Sequence, residues 1–255
     1  MLTMRWMGLA GLALAVACSD YSTDGGPAPL PEATVITATG DITAKVNEFR
    51  NLLGASNGGT AGEQPAGRRE INWDGAGADP FNNRNDFPAD FFNTNVKAGA
   101  IYTTAGTGFR NDSTRFKEVD ATYEVEFNFF SPTKVFAPVG SNQLDQLFQV
   151  AGQPTPALVS AFGIVFSDVD LAGATTIELF AQDGSSLGTY SAPVRSDAGG
   201  LSFVGVARPD TIIARVRITL GTGVLGANTK DITAGGTVDL VVLDNVIYGE
   251  PRQAF

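Results

Sequence analysis

The chain has 255 residues, a formal charge of −10, no histidine and a single cysteine. It can therefore build neither a Ser-His-Asp nor a Cys-His nucleophile, none of the common zinc sites, and no disulfide within the chain. The acidic balance argues against nucleic acid and against electrostatic docking on anionic lipid, while 43% hydrophobic residues are enough for a real core. The length fits one all-β domain with a tail, or two very small domains.

The N-terminus opens with one basic residue, Arg5, then the apolar run from Gly8 to Ala17, then Cys18 and a polar stretch from Ser19 to Gly26. A charged start, a short apolar segment and a small residue at its end describe an export signal over residues 1–17, too short for a membrane span. The cysteine directly after that small residue resembles a bacterial lipoprotein signal. The resemblance implies that Cys18 becomes the lipid-bearing first residue, and Ser19 rather than Asp after it implies sorting to the outer membrane. Ala15 stands where that pattern prefers Leu, with Leu14 displaced by one, so an ordinary secretory signal cut near Ala17 is the alternative. The expected location is outside the cytoplasm, lipid-anchored at the outer membrane, facing the periplasm or the surface.

Residues 18–34 carry Gly25-Gly26, Pro27, Pro29 and Pro31 among small polar residues and read as a tether. A short helix is predicted over 41–54, with Asp41 capping its start, Ile42, Val46, Phe49 and Leu53 on one face, and Gly54 ending it. Residues 55–69 read as a loop, with Arg68-Arg69 as its solvated basic end.

From about residue 70 the period changes to two. Residues 119–129 alternate apolar and polar without a break, which predicts a half-buried strand. Residues 212–220 alternate likewise, with Ala214, Val216, Ile218 and Leu220 inward. Residues 161–166 and 238–243 are apolar on both faces, as central strands are. Further strands are predicted at 175–182, 187–192 and 201–207, with Asp183-Gly184 a hairpin turn. About eight short strands and almost no helix predict an antiparallel β-sandwich of jelly-roll type over residues 35–251, with one short N-terminal helix.

Three acidic clusters invite a hard cation. Asp74 and Asp79 lie in a Gly-rich stretch, Asp168 and Asp170 end a buried strand, and Asp244 sits inside an apolar strand where a carboxylate needs a partner. The sequence leaves room for one structural Ca²⁺ and requires no other cofactor. Turn formation, backbone hydrogen bonds or pairing with arginine would account for the same residues. Glu124 and Glu126, two apart on the predicted strand, are the one carboxylate pair whose spacing suits glycoside hydrolysis. They fall on its polar face, where solvated charge is the ordinary outcome, so the chain reads as a non-enzyme. Trp73, Tyr102, Tyr190 and Tyr248 are candidate platforms for a sugar ring, against the commoner role of aromatic residues as core.

Residues 68–75, 90–93, 106–109, 162–170, 200–206 and 243–251 together resemble a family of exported bacterial proteins with no established activity. The resemblance spans roughly residues 40–251. The closing Asp244-x-x-Ile247-Tyr248 strand is similar to the last strand of galactose-binding-like and concanavalin-like jelly rolls, which implies carbohydrate binding and a structural Ca²⁺. The expectation is a lipid-anchored, non-catalytic β-sandwich that binds glycan or another envelope component. A glycoside-active enzyme and a purely structural envelope protein are the alternatives.

Overall fold

Runs of Val, Ile, Thr and aromatic residues between Gly and Asp turns make strands that pair into sheets. The computed structural model describes residues 31–75 and 80–254. The export signal, Cys18, the tether up to residue 30 and Asp79 lie outside the described residues. In chain order the first half comprises β1 (Thr34–Thr39), α1 (Thr43–Leu53), β2 (Arg68–Ile71), α2 (Phe91–Thr94), β3 (Ala100–Thr103), β4 (Gly108–Asp112), α3 (Tyr123–Glu126) and β5 (Val135–Val139). The rest comprises β6 (Gln143–Phe148), β7 (Ala157–Leu158), β8 (Ala161–Ser167), β9 (Thr176–Phe180), β10 (Ser186–Ser191), β11 (Leu201–Ala207), β12 (Arg215–Thr219), β13 (Val242–Gly249) and β14 (Arg252–Gln253).

One sheet runs β1-β11-β8-β13-β5-β4, with β2 also paired to β13; the second runs β10-β9-β12-β6-β3; β14 and β7 form a small third. Every pairing between these strands is antiparallel. Neighbours far apart in sequence give a crossed order of the jelly-roll kind. The fold is the all-β sandwich that the alternation predicts.

The main core lies between the two larger sheets and draws on Phe162, Ile164 and Phe166 of β8, Leu243 and Val246 of β13, Ile177 and Leu179 of β9, and Val216 and Ile218 of β12. The first sheet is also covered on its other face. Val46 and Phe49 of α1 pack there on Val165, Phe203 and Ile247, and Phe116, Tyr123 and Phe127 pack on Val135, Ala137 and Val242. This double cover is why β8 and β13 are buried along their whole length, as parallel-sheet strands usually are.

The helix α1 follows its prediction. Asp41 Oδ1 accepts the Thr43 N–H at 3.1 Å, and Gly54 (φ 91°) donates its N–H to the carbonyls of Arg50 and Asn51. The Asp183-Gly184 hairpin also forms, with Gly184 at φ 84°. Three predicted features change. The strand predicted at 238–243 begins only at Val242 and runs on to Gly249 as β13. Residues 119–129 are not a strand: Asp120 accepts the N–H and hydroxyl of Thr122, and one helical turn, α3, follows. Its inward residues are Tyr123, Glu126 and Phe127, so Val125 is left 69% exposed. Phe116, Val119, Tyr123 and Phe127 already carry the helical spacing of three and four that competes with the alternation.

Arg69 is not a solvated loop residue but is fully buried. It donates to both oxygens of Glu250, at 2.7 and 2.6 Å, and to the carbonyls of Gly58, Thr60, Gly62 and Lys97. The predicted loop 55–69 is thus organised around one guanidinium.

Candidate functional site

The chain leaves the central strand β8 at Ser167, and Asp168 follows in the left-handed conformation (φ 73°), which Asp tolerates better than most residues. Asp168 and Asp170 lie beyond the end of the strand, and each places a carboxylate oxygen near Asp231. Three residues join them that the sequence does not single out for a cation: Glu126 at the end of α3, and Asp231 and Asp239 in the segment before β13. Glu126, Asp168 and Asp231 place carboxylate oxygens within 4.8 Å of one another, and so do Asp170, Asp231 and Asp239. Asp231 belongs to both groups.

Four of the five residues are buried, and Asp170 is partly so. Backbone and hydroxyl donors hold three of them in place. Asp231 accepts the Thr233 N–H and hydroxyl, both at 2.8 Å, and the Leu240 N–H at 2.7 Å. Asp239 accepts the N–H groups of Asp170 and Leu171 at 3.3 and 3.1 Å. Glu126 accepts the Thr233 hydroxyl. Asp168 Oδ1 has only the Gly199 N–H at 3.3 Å, and Asp168 Oδ2 and both oxygens of Asp170 have no partner. Among the described residues no Lys or Arg forms an ion pair with any of the five.

Burial pushes the Asp168 carboxyl up to about 9, and the charges of Asp231, Asp170 and Glu126 add to this. Asp170 is raised by burial and by Asp231 beside it, and Asp239 by burial first. Like charges gathered away from water disfavour their own ionisation.

Other predicted site residues lie elsewhere. Asp74 Oδ1 accepts the Thr133 N–H and hydroxyl. Asp244 sits at a register shift between β13 and β8 and accepts the N–H groups of Phe130 and Ser131 and the Ser131 hydroxyl. It takes the backbone-bonded role that the sequence leaves open and stays apart from the five-carboxylate group.

Trp73, Tyr102 and Tyr248 are at most 1% exposed and belong to the main core, so none offers a face to a sugar. Trp73 stacks on Phe136 at 3.8 Å, and the Tyr248 hydroxyl donates to the Ala98 carbonyl. Tyr190, on the edge strand β10, is partly buried against the same core. Glu124 and Glu126 do not form a pair. Glu124 is exposed and bridges Lys117 at 3.0 Å, while Glu126 turns inward.

A second feature is the outward face of the five-stranded sheet. Register places Thr189, Glu178, Arg217, Asp145 and Thr103 side by side across β10, β9, β12, β6 and β3. Asp145 accepts from Arg215 at 2.9 Å and from Arg217 at 3.0 Å. The Arg215 guanidinium lies 3.7 Å above the Phe180 ring. A shallow groove beside the row is lined by Thr103, Thr104, Gln143, Asp145 and Arg217.

Asp239 carries the signal that singles out Asp244, a carboxylate in an apolar run. Asp231 is legible only as the start of an Asp-x-Thr turn. The row on the sheet face follows from alternation once the register is known, and register is what one sequence lacks.

The class defined by this fold is an antiparallel β-sandwich. No family model matches the chain, and no characterised protein matches it in sequence. Among solved structures it is similar to the enzymatically active domain of bacteriophage CBA120 tailspike protein 4, over 65% of this chain, at 15% identity and a TM-score of 0.29. The chain spans 21% of the length of that one.

Proposed function

We propose that this is an exported lipoprotein, held at the outer membrane by a lipid on Cys18, whose β-sandwich is a non-catalytic module binding carbohydrate on the exposed face of its five-stranded sheet. The row Glu178–Arg217–Asp145 carries the reading. Carboxylate and guanidinium groups standing side by side on a sheet present acceptors and paired donors at cross-strand spacing, which suits neighbouring sugar hydroxyls. Thr103, Thr104 and Gln143 extend the same chemistry into the adjoining groove.

The placement of Glu124 and Glu126 gives no support to a glycoside-active alternative built on that pair, because catalytic carboxylates must flank one bond from a shared cleft. Glu124 faces water and Glu126 faces Asp168 and Asp231.

A glycan array on the full chain carrying Cys18→Ser tests the binding. Arg217→Ala should abolish the signal without moving the melting temperature, since exposed ion pairs contribute little to stability. A blank array would favour a purely structural envelope role. For the anchor, Cys18→Ser should prevent lipid labelling and release from the membrane pellet should follow; unchanged fractionation would remove lipidation from the reading.

A further inference from the structure

We infer that the five carboxylates Glu126, Asp168, Asp170, Asp231 and Asp239 form a two-ion calcium centre, with Asp231 bridging the positions. One ion is held by Glu126, Asp168 and Asp231, and the other by Asp170, Asp231 and Asp239. Acidic residues in proximity do not by themselves make a site. The observation that points to a ligand is Asp168, which is wholly buried and whose Oδ2 has no hydrogen-bond partner while facing the oxygens of Glu126 and Asp231. Both Asp170 oxygens repeat the pattern toward Asp231 and Asp239. A buried carboxylate without a donor is costly, and among the described residues no cationic side chain pairs with any of the five.

The donor set selects the ion. All ligands are hard oxygens, with no nitrogen or sulfur among them, which suits Ca²⁺ or Mg²⁺ rather than zinc or copper. Ca²⁺ accepts several protein carboxylates in irregular geometry, whereas Mg²⁺ keeps most of its water and demands an octahedron. Charge sets the number, because five carboxylates are poorly balanced by one divalent ion and nearly balanced by two. Asp231 and Asp239 are already oriented by Thr233, Leu240, Asp170 and Leu171 N–H groups, the outer support that a cation site needs. Asp170 is the least buried member and marks the side from which an ion enters.

The centre ties α3, the exit of β8 and the segment before β13 into one unit, so its expected effect is stability. With the purified full chain, Ca²⁺ in large excess should raise the melting temperature by roughly 5–10 °C over the chelator-treated protein. Metal analysis after dialysis should find two Ca²⁺ per chain. Asp231→Asn should lose both ions, Asp168→Asn and Asp239→Asn should each keep one, and Asp210→Asn, on the surface, should keep two. Misfolding is separable from lost ligands through Asp168→Asn, whose carbonyl keeps the Gly199 N–H while its amide takes the place of the unpartnered Oδ2; it relieves repulsion and should melt at or above the chelator-treated parent while binding one ion fewer. Terbium luminescence sensitised by Tyr123 should appear in the parent and vanish in Asp231→Asn. A melting temperature indifferent to Ca²⁺ and chelator would overturn the centre. One ion per chain, or Asp231→Asn retaining either, would overturn the bridged arrangement.

Discussion

Arg69 donates Nε and Nη2 to the two oxygens of Glu250 with both side chains out of water, which fastens β2 to the chain just beyond β13. The pair is embedded. Asn57 Nδ2 and the Gln64 N–H also reach Glu250, and the remaining Arg69 donors serve four loop carbonyls. Removing one partner of such a pair strands the other charge, so Arg69→Ala should lower stability by about 3–5 kcal/mol. Arg69→Lys should recover little, because an ammonium cannot reproduce the planar fork. Urea unfolding measures the loss, and limited proteolysis should place new cuts between residues 54 and 67. A loss under about 1 kcal/mol would match an exposed pair and contradict this account.

Gly163 and Gly205 lie directly opposite one another on β8 and β11 and make the socket for Phe49 of α1. A Cβ on Gly163 would meet the Phe49 ring at 2.6 Å, and one on Gly205 would meet it at 2.8 Å. Gly weakens a strand, so its presence at two paired positions is explained by this approach. Gly205→Ala should cost roughly 1–3 kcal/mol through overpacking, and Phe49→Ala about 3–5 kcal/mol through the cavity. The double variant Gly205→Ala/Phe49→Leu should lose less than the sum of its single changes, which thermal melts of the four proteins would reveal. Strict additivity would mean that the ring and the glycine do not touch.

Much of the fold is legible in the sequence because alternation survives wherever one face meets water, as in β12. The doubly apolar β8 and the span of β11 are legible for a related reason, since strands apolar on both faces must be covered on both, here by the second sheet and by α1. The segment 119–129 misleads because its apolar residues satisfy both periods, and only the packing of Phe116, Tyr123 and Phe127 on Val242 decides between them. β1 is missed because Pro-rich sequence precedes it and only Ile36 of its six residues is buried, so no two-residue alternation marks it. For the carboxylate centre, Asp168 and Asp170 are visible from spacing. Glu126 is read as solvent-facing from the same alternation that fails, and Asp231 enters only through long-range contact.

Asp244 gives a pH dependence of definite sign. Burial pushes its carboxyl up to about 7 against three donated hydrogen bonds, with Asp74 adding a like charge. The folded value lies above the unfolded one, so the stabilisation is complete below pH 4 and is lost as pH rises through 7. A carboxyl moved from 3.8 to about 7 removes roughly 4 kcal/mol over that interval. Asp244→Asn should flatten this component. Its carbonyl can accept from Phe130 and Ser131, and its amide can donate to the Ser131 hydroxyl, which itself donates to the Asn72 carbonyl. Asp244→Leu should instead be destabilised at every pH, because those N–H groups lose their acceptor. The check is chemical denaturation of parent and Asp244→Asn at pH 4, 6 and 8 in saturating Ca²⁺; an undiminished slope in the variant would assign the titration to another group.

Trp73 separates core from platform by spectroscopy. The chain has two tryptophans, Trp6 and Trp73, so a chain processed before Cys18 reports Trp73 alone. Its ring stacks on Phe136 within 11° of parallel, meets Phe92 edge-on at 5.2 Å, and donates Nε1–H to the Asp244 carbonyl at 2.7 Å. Emission should therefore be blue-shifted and resist acrylamide, and carbohydrate should leave it unchanged. Trp73→Ala should cost about 3–5 kcal/mol, the range for large aromatics removed from a core. Trp73→Phe should cost less, yet it leaves the Asp244 carbonyl without its indole donor. A sugar platform would behave in the opposite way: its emission would be quenched by acrylamide and shift with ligand, and its removal would abolish binding while sparing stability. The indole thus supplies a donor to the Asp244 carbonyl where the register shifts between β13 and β8. Trp73→Phe should accordingly speed amide exchange at Val246 and Ile247 more than at the distant Val216 of β12.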